Sequence, residues 1–241
     1  MQLCRCETPS LLRLGRLALL SALLMIGACA APYQAVEAPV AVVAPPVLRS
    51  GDTWVYAQIN AYNGLTERIL TDRLVAAKEG FVIERRSDRP DEPLQAETIS
   101  APWRQLGETT AGQRRVFSVP LARIPFPIAP GQLWREQATI TDAYGVKFLW
   151  RTNGRAVGWE RVRTPAGEFV ALRIERSMNL GDYDYGWSDT EVFETYWYAP
   201  EVKRWVRLEH QYARVELMVA PYHRRSLTDR IIWELREFRP A

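Results

Sequence analysis

Sulfur and imidazole chemistry are almost missing from this chain of 241 residues, which has three cysteines and two histidines. Cys4 and Cys6 precede a short apolar run read below as a cleaved signal, so the mature chain keeps Cys29 alone. An internal disulfide, a Cys-ligated metal site and a Cys–His nucleophile in the folded part are thereby excluded. No Gly-x-Ser-x-Gly turn, His-Glu-x-x-His pair or phosphate-cradling Gly-Lys-Thr run is present, so no motif names a reaction. Long apolar runs are missing too. LALLSALLMI, residues 17–26, falls well short of the roughly 20 residues that a membrane-spanning helix needs. Lysine stands only at Lys78, Lys147 and Lys203, and the remaining basic residues are arginine. The formal charge of +3 falls to about +1 once Arg5, Arg13, Arg16 and Glu7 are removed. A near-neutral domain has no polybasic footprint, which argues against nucleic acid as a partner.

What is present begins with the N-terminus. Arg5, Arg13 and Arg16 lead into the apolar run at 17–26, the length of a secretory h-region. Ile26-Gly27-Ala28-Cys29 then resembles the lipobox of bacterial lipoproteins: a branched aliphatic residue, two small ones, and the cysteine that receives lipid. The resemblance implies that residues 1–28 are a signal peptide. Cys29 becomes the lipidated N-terminus, with a diacylglycerol thioether and an amide-linked chain such as palmitate. Several acyl chains give stable anchoring where one binds only marginally. The alternative is an ordinary signal cut near Ala28 to Ala31, which leaves a stray thiol. Ala30 and Ala31 follow the cysteine with no Asp at the second place, which points to the outer membrane and a periplasm-facing domain.

Residues 29–48 are rich in proline and alanine, with Pro32, Pro39, Pro45 and Pro46 and no polar–apolar period. They read as a disordered tether of up to about 60 Å in polyproline geometry. Residues 49–241 are then one β-rich domain, long enough for a sizeable core.

Alternation dominates that domain. Val170, Leu172 and Ile174 share one face, and so do Val206, Leu208, His210 and Tyr212, which predicts strands. Gly and Pro mark turns at Tyr62-Asn63-Gly64, Lys78-Glu79-Gly80, Tyr144-Gly145, Thr164-Pro165-Ala166-Gly167 and Ala199-Pro200-Glu201. This spacing predicts about nine or ten strands. The alternation slips between Tyr212 and Ala213, which predicts a bulge. Residues 51–64 and 131–145 echo each other, each with a Gly, a Trp three residues on, an alternating strand and a turn. The Pro-rich stretch 121–131 reads as a connection between two halves of one sheet or barrel.

TPAGEFVALRIE (164–175) and TYWYAPEVKRWVRLE (195–209) resemble a hairpin found in a broad group of uncharacterised bacterial periplasmic and lipoprotein β-domains. Gly51 and Trp54 match that group's opening. These domains are similar to the incomplete β-barrels of lipoprotein carrier proteins. The resemblance covers residues 50–215 and implies an all-β antiparallel meander, curved into an incomplete barrel around a hydrophobic cavity. It brings no established activity and no cofactor.

Three groups of residues remain as candidate sites. Asp182, Asp184, Asp189 and Glu191 form the densest acidic stretch, but they miss the spacing of a calcium loop and read as an exposed loop. His210 shares its face with apolar residues and reads as a core or cavity-lining histidine, while His223 falls in a loop. Of nine tryptophans, Trp54, Trp134, Trp197 and Trp205 are candidates, with His210, for facing a ligand. Trp197 and Trp205 flank one turn and are placed to pair across it. No metal ligand set and no catalytic residue is assigned. The expected function is binding of a hydrophobic or glycan envelope ligand, and docking onto an envelope protein complex is the alternative. A hydrolase built on carboxylates such as Asp182 or Asp184 ranks behind both.

Overall fold

Among the described residues, every strand but the short first one is paired on both sides. The computed structural model describes residues 33–78, 80–100, 103–110, 112–182, 188–217 and 223–241. Residues 1–28, Cys29 and Asp184 lie outside the described residues, as do the side chains of Asp182 and His223. Gln34–Ala241 forms one compact unit. Its strands are β1 (Gln34–Ala35), β2 (Thr53–Asn60), β3 (Thr66–Ala77), β4 (Gly80–Ser87), β5 (Gln95–Ser100), β6 (Arg104–Thr110) and β7 (Gln113–Ala122). They continue with β8 (Leu133–Thr141), β9 (Lys147–Thr164), β10 (Gly167–Asp182), β11 (Ser188–Ala199), β12 (Arg204–Leu217) and β13 (His223–Arg239).

From β2 onward each strand pairs antiparallel with the next, and β13 pairs back onto β2. The product is a closed up-and-down barrel of 12 strands, with β1 added outside on β9 through Gln34↔Arg161 and Ala35↔Glu160. This corrects the incomplete barrel expected from the sequence. Closure comes from Trp233, which stands opposite Leu208 of β12 on one side and Gln58 of β2 on the other. Closure removes most of the free edge that a second chain could pair with, leaving β1, paired on one side only, and the short β7–β8 seam at Val116↔Thr141 and Phe117↔Ile140. The strands outnumber the nine or ten expected, and two of them are short and polar. QAETIS in β5 and RQLGETT in β6 lack apolar alternation.

Turn chemistry is legible throughout. Thr164 and Gly167 face each other across the Pro165-Ala166 turn, and Gly167 takes φ +136, which a Cβ would disfavour. Pro200–Val202 forms a 3-10 turn between β11 and β12. The register between β12 and β13 slips at Tyr212/Ala213, where the alternation breaks in the sequence. The stretch after β7 folds inward rather than crossing the sheet. Ile124 and Ile128 are buried, and the Phe126 ring packs 5.2 Å from that of Tyr198. Val43 is also buried and exchanges two backbone hydrogen bonds with Ile128, at 2.8 and 3.0 Å. Part of the Pro/Ala-rich segment is therefore held against the barrel at β1 and at Val43.

Two apolar layers fill the interior. At the end where β2 begins, Trp54, Tyr56, Trp103 and Trp205 surround the guanidinium of Arg204, with ring centroids 4.1–5.7 Å from Cζ. Burying such rings contributes roughly 4–6 kcal/mol each before conformational entropy, enough to offset desolvating one cation that also meets a carboxylate. Nearer the start of β9, Phe117, Ile140, Trp150, Met178 and Val192 form the second cluster. The outer wall is charged. Arg155–Glu175, Arg161–Glu168 and Arg163–Glu168 pair across it at 2.7–3.0 Å, where a membrane-spanning barrel would present an apolar band.

Candidate functional site

Between the two layers charged and apolar side chains share the lumen, and strand register decides which groups meet there. On one wall Asp72 of β3 stands opposite Arg85 of β4, and Glu97 of β5 opposite Glu108 of β6. On the other, Arg176 of β10 faces Glu194 of β11, which faces His210 of β12. Arg123, the first residue after β7, bonds Glu97 at 3.0 Å and lies 5.4 Å from the Trp205 ring. These walls border a cavity of about 340 Å³, lined in part by Arg68, Arg85, Glu97, Glu108, Arg123, Glu194 and His210. Gln58 and Trp233 share the lining with apolar side chains, among them Leu70, Ile83, Leu208 and Ile231.

Two buried carboxylates organise this lining. Asp72 accepts hydrogen bonds from Nε and Nη2 of Arg85, both at 2.7 Å, and Nη1 of Arg204 lies 2.7 Å from its Oδ2. Burial opposes the charge of Asp72, but the two guanidiniums outweigh it and hold the carboxyl below the ordinary 3.8. Glu194 accepts from Nε and Nη2 of Arg176 at 3.1 and 2.6 Å and from the Tyr196 hydroxyl. His210 Nδ1 lies 3.2 Å from Glu194 Oε1. An ionised carboxylate only accepts, so Nδ1 carries the proton and the imidazole is fixed in orientation. Burial again opposes ionisation, while Arg176, His210 and Arg123 hold Glu194 well below the ordinary 4.5. Burial together with the adjacent Glu194 pushes the Tyr196 hydroxyl far above the ordinary 10.0.

These shifts set a pH dependence. Asp72 and Glu194 both titrate lower in the folded chain than at their ordinary values of 3.8 and 4.5. As pH falls through that window the unfolded chain takes up protons first, so stability that is full above it is lost below it. Thermal unfolding followed from pH 7 to pH 3 should give a level midpoint down to about pH 5 and a steep fall beneath it. A midpoint that holds or rises toward pH 3 would contradict the two ion clusters.

Of the five residues expected to face a ligand, His210 lines the cavity and the four tryptophans do not. Trp54 donates to the Val202 carbonyl at 2.7 Å in the apolar end, where Trp205 packs on Arg204. Trp134 lies against Gly154, where a Cβ would fall 2.0 Å from its ring. Trp197 points to the other face of the sheet and donates to Glu160 Oε2 at 2.7 Å. It does not pair with Trp205. A bulge at Val206 sets Trp205 opposite Tyr198 and Trp197 opposite Arg207. The tryptophan of the cavity is Trp233, which donates to Gln58 Oε1 at 3.2 Å and carries the Arg85 guanidinium 4.2 Å above its ring.

One signal for the missed residues was available. Asp72 lies in phase with Leu70 and Leu74, Arg85 with Ile83, and Glu194 with Val192 and Tyr196. A charged residue on an otherwise apolar face is destined for a barrel interior and must find a partner there.

No protein-family model matches the chain, and no curated protein is similar to it. Two solved structures overlap it at low similarity. One is a chain from Parabacteroides distasonis provisionally designated a lipoprotein, 13% identical, with a TM-score of 0.45, covering 82% of this chain and 99% of its own. The other is a chain from Bacteroides fragilis provisionally designated an exported protein with a YmcC-like fold. It is 15% identical, with a TM-score of 0.36, covering 83% of this chain and all of its own. At these scores neither likeness carries an inference about this chain's function.

Proposed function

We propose that this is a lipid-anchored protein of the bacterial envelope, held through Cys29 in the outer membrane, whose barrel binds a small oxygen-rich ligand of glycan type in its lumen. The observation that carries this reading is the cavity of about 340 Å³ in which arginine, glutamate, glutamine and histidine side chains converge beside Trp233. That volume lies at the low end for small-molecule sites and suits roughly one or two sugar rings. Burying an acyl chain against these charges would strip them of water without replacing any hydrogen bond, so the polar member of the expected ligand pair is favoured over the hydrophobic one. No reaction is assigned: His210 and Glu194 are placed to bind and orient.

Trp233 supplies the readout. Titrating the full chain in detergent with cellobiose, glucuronate and palmitate should change tryptophan fluorescence with at least one sugar and not with palmitate. Trp233→Phe should remove most of that change. Binding of palmitate alone, or of no probe, overturns the proposal.

A further inference from the structure

We infer that the ligand of this cavity carries an oxyanion group, a carboxylate or a phosphate, received by Arg68 and Arg123; this rests on the lumen being a ligand site. The argument is a count of what the lining has left to offer. Its carboxylates are engaged. Glu97 holds Arg123, Glu108 holds Arg115 and Gln105 at 3.2 Å each, and Glu194 holds Arg176, Tyr196 and His210. Arg85 is spent on Asp72. Arg68 meets Glu92 through Nη1 at 2.6 Å, and Arg123 meets Glu97 through Nη1, yet the Nε–H of each is buried without a hydrogen-bond partner. The buried side-chain atoms of the lining left without a partner are therefore both donors.

A carboxylate or phosphate oxygen matches that capacity because it accepts and brings no proton of its own. A neutral hydroxyl would satisfy one donor while adding another that needs an acceptor. Hydrogen bonds with charge on both partners are also roughly twice as strong as neutral ones.

Charge balance points the same way. Arg68, Arg123, Arg115 and Arg176 each have one carboxylate, at Glu92, Glu97, Glu108 and Glu194. Arg85 and Arg204 share Asp72 alone. Counting the arginines and carboxylates alone, the ion clusters of the lumen hold one cation in excess, and an anionic ligand neutralises it.

The test is a titration of the full chain with glucose, glucuronate and glucose 6-phosphate, which share a ring and differ in acid group. At least tenfold tighter binding of either acid over glucose is expected, and the stronger of the two identifies the group. Arg68→Gln and Arg123→Gln should each weaken the preferred acid at least fivefold more than they weaken glucose. Arg123→Gln strips Glu97 of its partner; if that variant does not fold, Arg68→Gln decides alone, because Arg68 lies at the partly exposed side of the lining. Equal binding of all three probes, or acid binding unchanged in Arg68→Gln, overturns the oxyanion inference and leaves the sugar reading standing. No binding of any probe removes both.

Discussion

Asp72→Asn is expected to lower stability by about 3–5 kcal/mol, the cost of leaving buried charge without its partner. The side chain is nearly isosteric, so packing changes little and electrostatics is what the substitution reports. Asp72 is fully buried and is the shared anion of Arg85 and Arg204, each of which reaches it at 2.7 Å. Arg204 is itself fully buried inside an aromatic cage and has no second carboxylate to turn to. Arg204→Met provides the contrast. It removes one of the two cations, leaves Asp72 with both hydrogen bonds from Arg85, and fills the cage with an apolar chain. Its loss should be clearly smaller, since replacing a buried ion by a hydrophobic side chain of similar volume is often nearly neutral. Urea unfolding midpoints of the two variants measure the difference. Asp72→Asn within about 1 kcal/mol of wild type, the range of an ordinary surface substitution, would sink this account of the lumen.

Gly80→Ala should be the other large effect, and it comes from the backbone. Gly80 opens β4 at φ +126, a conformation that costs an L-residue about 1–3 kcal/mol. An added Cβ would also fall 2.3 Å from the Ile99 carbonyl oxygen of the neighbouring strand. That contact is with backbone in a closed sheet, so relieving it moves β4 against β5, at about another 1–3 kcal/mol. Gly64 isolates the second contribution, because it has φ +72 and nothing within 4 Å of a built Cβ. Gly64→Ala should lose only the conformational part. The measurement is the thermal midpoint of both variants, and equal losses would mean that the packing of Gly80 on Ile99 has no weight.

Local chemistry was readable because it acts over a few residues. Pro165 and Gly167 mark their turn, Pro200 marks the next, and the break in alternation at Tyr212/Ala213 marks the bulge between β12 and β13. Alternation also put His210 on an inward face without any knowledge of its partner. The acidic and basic lining was harder to see. Asp72, Arg85 and Glu194 look like surface residues until the face they occupy is known, and β5 and β6 do not announce themselves as strands at all.

The sequence by itself determined an all-β chain, most of its turns, the bulge in β12 and the inward face of His210. Only the tertiary structure decided that the sheet closes, that Trp54 and Trp205 belong to a cage around Arg204, and that charged side chains enter a cavity expected to be apolar. The reason is register. A side chain's face alternates with every residue, but its neighbour across the sheet depends on how two strands align. The bulge at Val206 turns Trp205 toward Tyr198 and away from Trp197, while pairing of β13 with β2 brings Trp233 opposite Gln58, 175 residues away in the chain. Alignments of that kind are set by the whole barrel closing at once, and no short stretch of sequence contains them.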